Sequence, residues 1–235
     1  MIVHPVVTHL GLGDSIVQSG LMVAIAERRG RISVPCYEQY EASVRSFFVN
    51  YPDISVYTLP HRIGWDWGSP PDRVYDEAIV SNGFSLENQI RLGVYAGQGI
   101  VWDFTKSFYE HAGLDYSARW DKSPIREAAK SLEQFEWAPG IPKVFVHDDP
   151  VRGFRIYKSI SPEHSNPRPI QNPSSILHYA KIIEEADEIH VIDSAFFWLV
   201  NALKPRGKLY LHCYARWPRP RSFRYDSKQD WNYVF

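Results

Sequence analysis

Four stretches hold residue types at spacings that could do chemistry. The first is His9-Leu-Gly11-Leu-Gly13-Asp14, just ahead of an apolar run. Glycines between a strand and a helix let a ligand approach the backbone, and a helix N-terminus favours anions. A dinucleotide fingerprint would need a third glycine at position 16, which is Ile16, so NAD is disfavoured. Asp14 puts a carboxylate where a phosphate would sit. It reads either as a helix N-cap or as a general base aimed at a substrate hydroxyl, with His9 as a further candidate.

The second stretch is His147-Asp-Asp-Pro-Val-Arg152-Gly-Phe-Arg155. Adjacent residues on an extended segment point apart, so His147, Asp148 and Asp149 make poor joint metal ligands. Arg152 and Arg155 could fork onto a phosphate; the alternative is a solvated loop with local ion pairs. The third is Ile189-His190-Val-Ile-Asp193-Ser194-Ala195, a strand running into a helix. The free amides after Ser194 and its hydroxyl could hold an anion, or Asp193 or Ser194 could simply cap the helix. His190, within a strand, reads as a satisfied core histidine ahead of a catalytic one. In the fourth, Arg216 to Tyr225, basic and aromatic residues alternate as in single-strand nucleic-acid binders. A tail packed back through its aromatic stems is the better reading. No Walker A, GxSxG, HExxH or kinase signature occurs.

These stretches need elements to position them. The pattern gives a strand at Ile2–Thr8, a helix at Ser15–Arg29 closed by Gly30, a strand at Arg31–Pro35, a helix at Tyr37–Asn50 and a strand at Ile54–Leu59. A loop follows at Trp65–Pro71, then a strand at Tyr75–Val80. Helices follow at Asp103–Gly113, with Asp103 as N-cap, and from Ser123-Pro124 to about Phe135. Ala138–Pro142 is the best domain boundary, giving 1–138 and 139–235. Beyond it come a strand at Lys143–His147, a loop at Asn166–Pro173, a helix at Pro173–Ala186 and a strand at Ile189–Ile192. A helix at Ala195–Leu203, a strand at Lys208–His212 and an irregular tail from Arg216 complete the chain. Alternating strands and helices mean parallel, doubly wound sheets, so the fold class is α/β with two Rossmann-like lobes and a cleft between them.

Composition narrows the function. The 235 residues carry 26 Lys and Arg against 27 Asp and Glu, a net charge of −1 that provides no general field for nucleic acid or an anionic membrane. Cys36 and Cys213 lie in apolar contexts and read as buried free thiols, and no CxxC supports a zinc site. No run approaches the ~20 apolar residues of a membrane helix and no leader pattern opens the chain, so a soluble, cytoplasmic protein is expected.

In this order, the stretches resemble nucleotide-sugar glycosyltransferases of the GT-B type, in particular heptosyltransferase-like capsule and lipopolysaccharide transferases. Gly11-Leu-Gly13-Asp14 before an apolar helix is similar to their acceptor-side opening, whose aspartate is the proposed base. Asp103 to Gly113 through Arg119-Trp120 looks like the segment before the interdomain linker. Phe145 to Asp149 with Arg152, and Ile189 to Ser194, look like loops around the donor diphosphate. The chain is short for that class, with few elements after residue 140, so a reduced GT-B form is implied.

The resemblance implies sugar transfer from a nucleotide sugar to an acceptor hydroxyl, inverting and without metal. Asp14 would be the base, Gly11, Gly13 and His9 the acceptor-side loop, and Arg152, Arg155, His147, Asp193, Ser194 and Ala195 the donor side. The nucleotide sugar is a co-substrate and no cofactor is implied. A non-catalytic nucleotide-sugar-binding protein and an unrelated Rossmann-like hydrolase are the alternatives.

Overall fold

The computed structural model describes residues 2–60, 71–92, 105–140, 142–157, 174–216 and 220–235, with the backbone of 167–168. By its internal contacts the chain divides into Met1–Ala128 and Ala129–Phe235. Residues 129–138, assigned by sequence to the first lobe, therefore sit in the second unit.

The first unit is built on a parallel sheet in the order β3-β2-β1-β4. Its strands are β1 (His4–Val7), β2 (Ile32–Tyr37), β3 (Ile54–Leu59) and β4 (Ile90–Arg91). β1 carries a proline, which lacks the N–H that a ladder uses. β4 pairs only with Val6 and Val7, so Pro5 has a ladder partner only in β2. From β1 the chain passes to β2 and β3 on one side, then returns to β4 on the other. The carboxyl ends of β1 and β4 thus form a topological switch point, where ligands bind in such sheets.

The helices of this unit are α1 (Leu12–Arg29), α2 (Glu41–Phe47), α3 (Asp72–Ser81), α4 (Thr105–His111), α5 (Ala118–Asp121) and α6 (Ile125–Ala129), which runs one residue past the division. α1 ends as expected at Gly30, whose left-handed φ of 84° lets its amide reach the Ala26 carbonyl at 2.8 Å. It begins three residues before the expected Ser15, so Asp14 lies inside the first turn and Gly11 is the N-cap. The capping role considered for Asp14 is therefore excluded.

Three other expectations change. Tyr75–Val80 is helical, within α3, because its buried residues Tyr75, Ala78 and Ile79 keep a helical spacing while Val80 is exposed. The helix from Ser123 stops at Ala129 rather than Phe135. There the Gln134 amide donates to the carbonyls of Ala129 (2.8 Å) and Leu132 (3.2 Å), occupying acceptors that a longer helix would need. The expected helix at Tyr37–Asn50 shortens to α2 after a 3-10 turn at Glu38–Tyr40, because Tyr37 completes β2.

The second unit holds a parallel sheet in the order β10-β9-β8-β6 and an antiparallel pair β5-β7. Its strands are β5 (Glu136–Trp137), β6 (Val144–His147), β7 (Pro167–Arg168), β8 (Glu188–Val191), β9 (Lys208–His212) and β10 (Trp231–Val234). Two helices, α7 (Ala180–Glu184) and α8 (Ala195–Leu203), complete it. α7 replaces only the end of the helix expected at Pro173–Ala186, since Ser175 caps a 3-10 turn at Ile176–Tyr179 instead. The tail is not wholly irregular: β10 pairs in parallel along β9, where Trp231, Tyr233 and Val234 fit a pleated surface. β7 falls inside the loop expected at Asn166–Pro173. The rest of that loop, Trp65–Pro70 and Asp103 lie outside the described residues.

Close packing in the first unit makes a sharp prediction at Gly20. A Cβ there would lie 2.4 Å from the Ala118 carbonyl oxygen of α5. Helix propensity alone would make Gly20→Ala stabilising by ~1 kcal/mol. We expect destabilisation by about 1–3 kcal/mol instead, the cost of overpacking. Urea unfolding of the two proteins reads the sign directly.

Candidate functional site

In the first unit, the backbone freed at the end of β1 is held by side chains. The Thr8 carbonyl accepts the Tyr75 hydroxyl. Thr8 Oγ1 donates to Gln18 Oε1 at 2.6 Å, and Gln18 Nε2 reaches the His9 carbonyl at 3.5 Å. Gln18 is buried on α1, and it was missed in the sequence although a glutamine amid Ile16, Val17 and Leu21 was a visible signal.

This scaffold presents His9 and Asp14 to each other, with Nδ1 and Oδ2 3.3 Å apart. The Asp14 side chain is 15% exposed, and it sits in the first turn of an 18-residue helix, where the backbone dipole favours its negative charge. A Cβ at Gly11 would meet Asp14 Oδ2 at 2.6 Å, so a larger residue there would displace the carboxylate from this position. Gly13 is the second residue of α1, and Ile16 is in the core. Beside the pair is a small hollow of about 10 Å³, room for about one water, lined by Thr8, His9, Ser15 and Gln18 among apolar residues. The arrangement can orient a hydroxyl and take its proton.

In the second unit, the expected donor residues lie at the end of β6 and in the segments that follow β6 and β8, and of these His147 and Ser194 meet. His147 stacks on Phe196 with ring centroids 3.9 Å apart, and its Nδ1 is 3.4 Å from Ser194 Oγ. Burial pushes the His147 pKa down to about 4, against the opposing pull of Asp148 and Asp149. The ring is therefore neutral at pH 7 and brings no charge to a phosphate.

The following loop is structurally committed. Asp149 and Phe154 exchange backbone hydrogen bonds of 2.8 Å. The Asp149 carboxylate accepts the Arg152 amide at 3.1 Å and pairs with its guanidinium, which holds the carboxyl below the usual range despite opposing desolvation. Asp148 Oδ2 accepts the Ile156 amide at 3.1 Å. Arg152 thus shows the local ion pair weighed for it, whereas Arg155 is exposed.

Ser194 caps α8, its Oγ accepting the Phe196 amide at 3.3 Å. Asp193 Oδ2 accepts the Tyr225 hydroxyl at 2.5 Å. Its carbonyl accepts Arg216 Nη1 at 2.6 Å, which brings that guanidinium to the start of α8 beside Ala195. Arg216 also lies 5.8 Å from the Phe154 ring centroid. In the sequence it read only as part of a basic tail. The tail does pack back: Tyr225 is buried against Phe197, Trp198 and Phe223, at 4.7, 5.1 and 4.7 Å.

His190 is a fully buried core residue, with Nδ1 3.0 Å from His212 Nε2 and its ring stacked on Tyr210. Cys36 and Cys213 are buried free thiols, and burial raises the Cys36 pKa to about 12, which leaves it unreactive. Among the described residues, no group of three His, Cys, Asp or Glu side chains could hold a metal ion. None of the described helices is long and apolar enough to cross a membrane.

No protein-family model matches the sequence, and no curated protein matches it. Among solved structures, the chain is similar to the iron-containing dodecameric glycosyltransferase TibC from enterotoxigenic E. coli H10407, with 12% identity and a TM-score of 0.49. That alignment covers 90% of this chain and 58% of TibC, so the chain spans little more than half of its length. It is also similar to a family 9 glycosyl transferase from Veillonella parvula DSM 2008, with 10% identity, a TM-score of 0.45, and 90% and 80% of the two chains covered. A third is the E. coli heptosyltransferase WaaC with ADP-2-deoxy-2-fluoro heptose, with 12% identity, a TM-score of 0.41, and 90% and 88% covered. The chain's own sheets define its class: an α/β protein of two units, each built on a parallel four-stranded sheet.

The neutral His147 ties stability to pH. Its folded value of about 4 lies below the ~6.5 of an unfolded chain, so below pH 6.5 the unfolded state binds more protons. Stability should fall as pH drops from about 6.5 to about 4, by on the order of 3 kcal/mol from this group. Denaturant titrations across that window should show the loss, and His147→Gln should remove most of it.

Proposed function

We propose that the chain is a glycosyltransferase that moves a sugar from a nucleotide sugar to an acceptor hydroxyl, with inversion and without a metal ion. The observation that carries the reading is the His9–Asp14 pair, held beside the switch point between β1 and β4. Asp14 takes the proton of the acceptor hydroxyl as its oxygen bonds to the anomeric carbon. The bond from that carbon to the diphosphate breaks with its electron pair leaving on the phosphate. His9, at 3.3 Å, orients the carboxylate. With a single carboxylate in this position among the described residues, one displacement and hence inversion is the simplest course.

The departing diphosphate is assigned to the second unit. Arg152 is held by Asp149, so the positive charge falls chiefly to Arg155 and to Arg216 at the start of α8, with help from that helix end. These cations do the work that a divalent ion would otherwise do.

Two measurements test the proposal. Asp14→Asn should lower transfer about 10²–10⁴-fold, the usual share of a general base, while nucleotide binding stays unchanged. The panel of donors should include ADP-heptose, the ligand of one TibC structure. Equal transfer rates would remove Asp14, and binding without transfer by the unaltered protein would make it a nucleotide-sugar-binding protein. On the donor side, Arg155→Ala should weaken diphosphate binding by about 1.5–3 kcal/mol, and Arg152→Ala by less. Calorimetry with and without chelator reads both this and the metal, and binding abolished by chelator would overturn the metal-free reading.

A further inference from the structure

The loops that follow β6 and β9 carry a pair of tyrosines that the mechanism does not use. Tyr157 is 71% exposed, which is unusual for a large aromatic ring that is also held in place. Its backbone is anchored to the other loop: the Tyr157 N–H donates to Tyr214 Oη at 3.0 Å. The two rings lie 4.5 Å apart between centroids, tilted by 49°. Tyr214 is in turn seated edge-on against the buried His212, at 5.6 Å and 90°. The exposed ring thus rests on a support that reaches the core of the sheet.

Cations lie on the stretch of chain that leads to this support. Phe154, three residues before Tyr157, has Arg152 and Arg216 at 5.6 and 5.8 Å from its ring centroid, and Arg155 lies between Phe154 and Tyr157 in the chain. Three residues of chain span at most roughly 10 Å, a length that a base, a ribose and two phosphates also cover. An exposed flat ring three residues along the chain from a ring flanked by guanidinium groups fits a ligand with an aromatic end and an anionic end. Stacking on a tyrosine face is a general way to hold a nucleobase, because every base has a π-face.

We propose that Tyr157, backed by Tyr214, is the stacking platform for the nucleobase of a nucleoside diphosphate, whose phosphates point to Arg155 and Arg216. This rests on the donor-side assignment above and adds the residue that reads the base. Sugar rings of an acceptor glycan also stack on tyrosines, but the adjacent arginines favour the anionic ligand.

Calorimetry with ADP, UDP and inorganic pyrophosphate separates the parts. Tyr157→Ala should weaken ADP about 5- to 150-fold, the effect of losing one base stack, while leaving pyrophosphate within about twofold. Tyr157→Phe should keep ADP affinity within about twofold, and both variants should melt with the unaltered protein. If the unaltered protein binds ADP but Tyr157→Ala binds it equally well, the platform is wrong and the donor assignment stands. The platform is equally wrong if the alanine variant loses ADP and pyrophosphate alike, or if the unaltered protein binds pyrophosphate as tightly as ADP. If it binds none of the three, the donor assignment fails and the platform with it.

Discussion

Strand β1 stops pairing at Val7, and the first unit depends on how the backbone beyond that point is satisfied. A parallel strand cannot turn back on its neighbour, so its chain must leave the sheet with peptide groups that no ladder will take. Buried, each of these would cost free energy. Tyr75 takes the carbonyl of Thr8, Gln18 that of His9, and the Ser15 amide that of Gly11 at 2.9 Å. Each of these bonds fixes a residue of the loop, and together they leave His9 and Asp14 facing each other. The pair is thus a product of satisfying the end of one strand.

The second unit obeys the same rule with a different outcome. Its loops leave β6 and β8 through Asp148, Asp149, Asp193 and Ser194, and each of these side chains accepts a hydrogen bond within the unit. The polar residues that looked most like ligands in the sequence are the ones that hold the loops together. On the reading proposed above, the ligand is left to cationic and aromatic groups: Arg155, Arg216 and Tyr157.

Much of the fold was legible from period and punctuation. Ile54–Leu59, Ala195–Leu203 and Lys208–His212 match the structure residue for residue, because mostly buried runs with a Gly, Pro, Ser or charged residue at one or both ends leave little choice. α3 misled because Tyr75, Ile79 and Val80 are β-formers, yet the spacing of the buried ones was helical. β10 was hidden because an edge strand at the end of a chain is decided by its partner β9, which lies about twenty residues away and gives no local sign. Of the site, Asp14 and its partner His9 were legible as types, but their pairing was not. Gln18 stood out as a polar residue in an apolar run, whereas the role of Arg216 arises from a contact across the chain with Asp193 that no spacing rule encodes.

The buried histidines show how the second unit joins its core to its surface. His190 and His212 share one hydrogen bond of 3.0 Å in a site that excludes water. Two imidazolium rings there would repel each other with no partner in the bond to accept, so at least one ring must be neutral and one nitrogen must donate to the other. Burial lowers the His190 pKa even though Glu188, 3.5 Å from its Nε2, favours the charged form. The bond ties β8 to β9 through side chains as well as through the ladder, and His212 presents its ring to Tyr214 beyond the strand end. A polar pair in a core is often no more stable than an apolar pair of the same volume, but its directional bond sets the orientation of both rings. Here it fixes the ring orientation of His212, and so the seat of Tyr214 at the edge where Arg216 and Tyr157 meet the solvent.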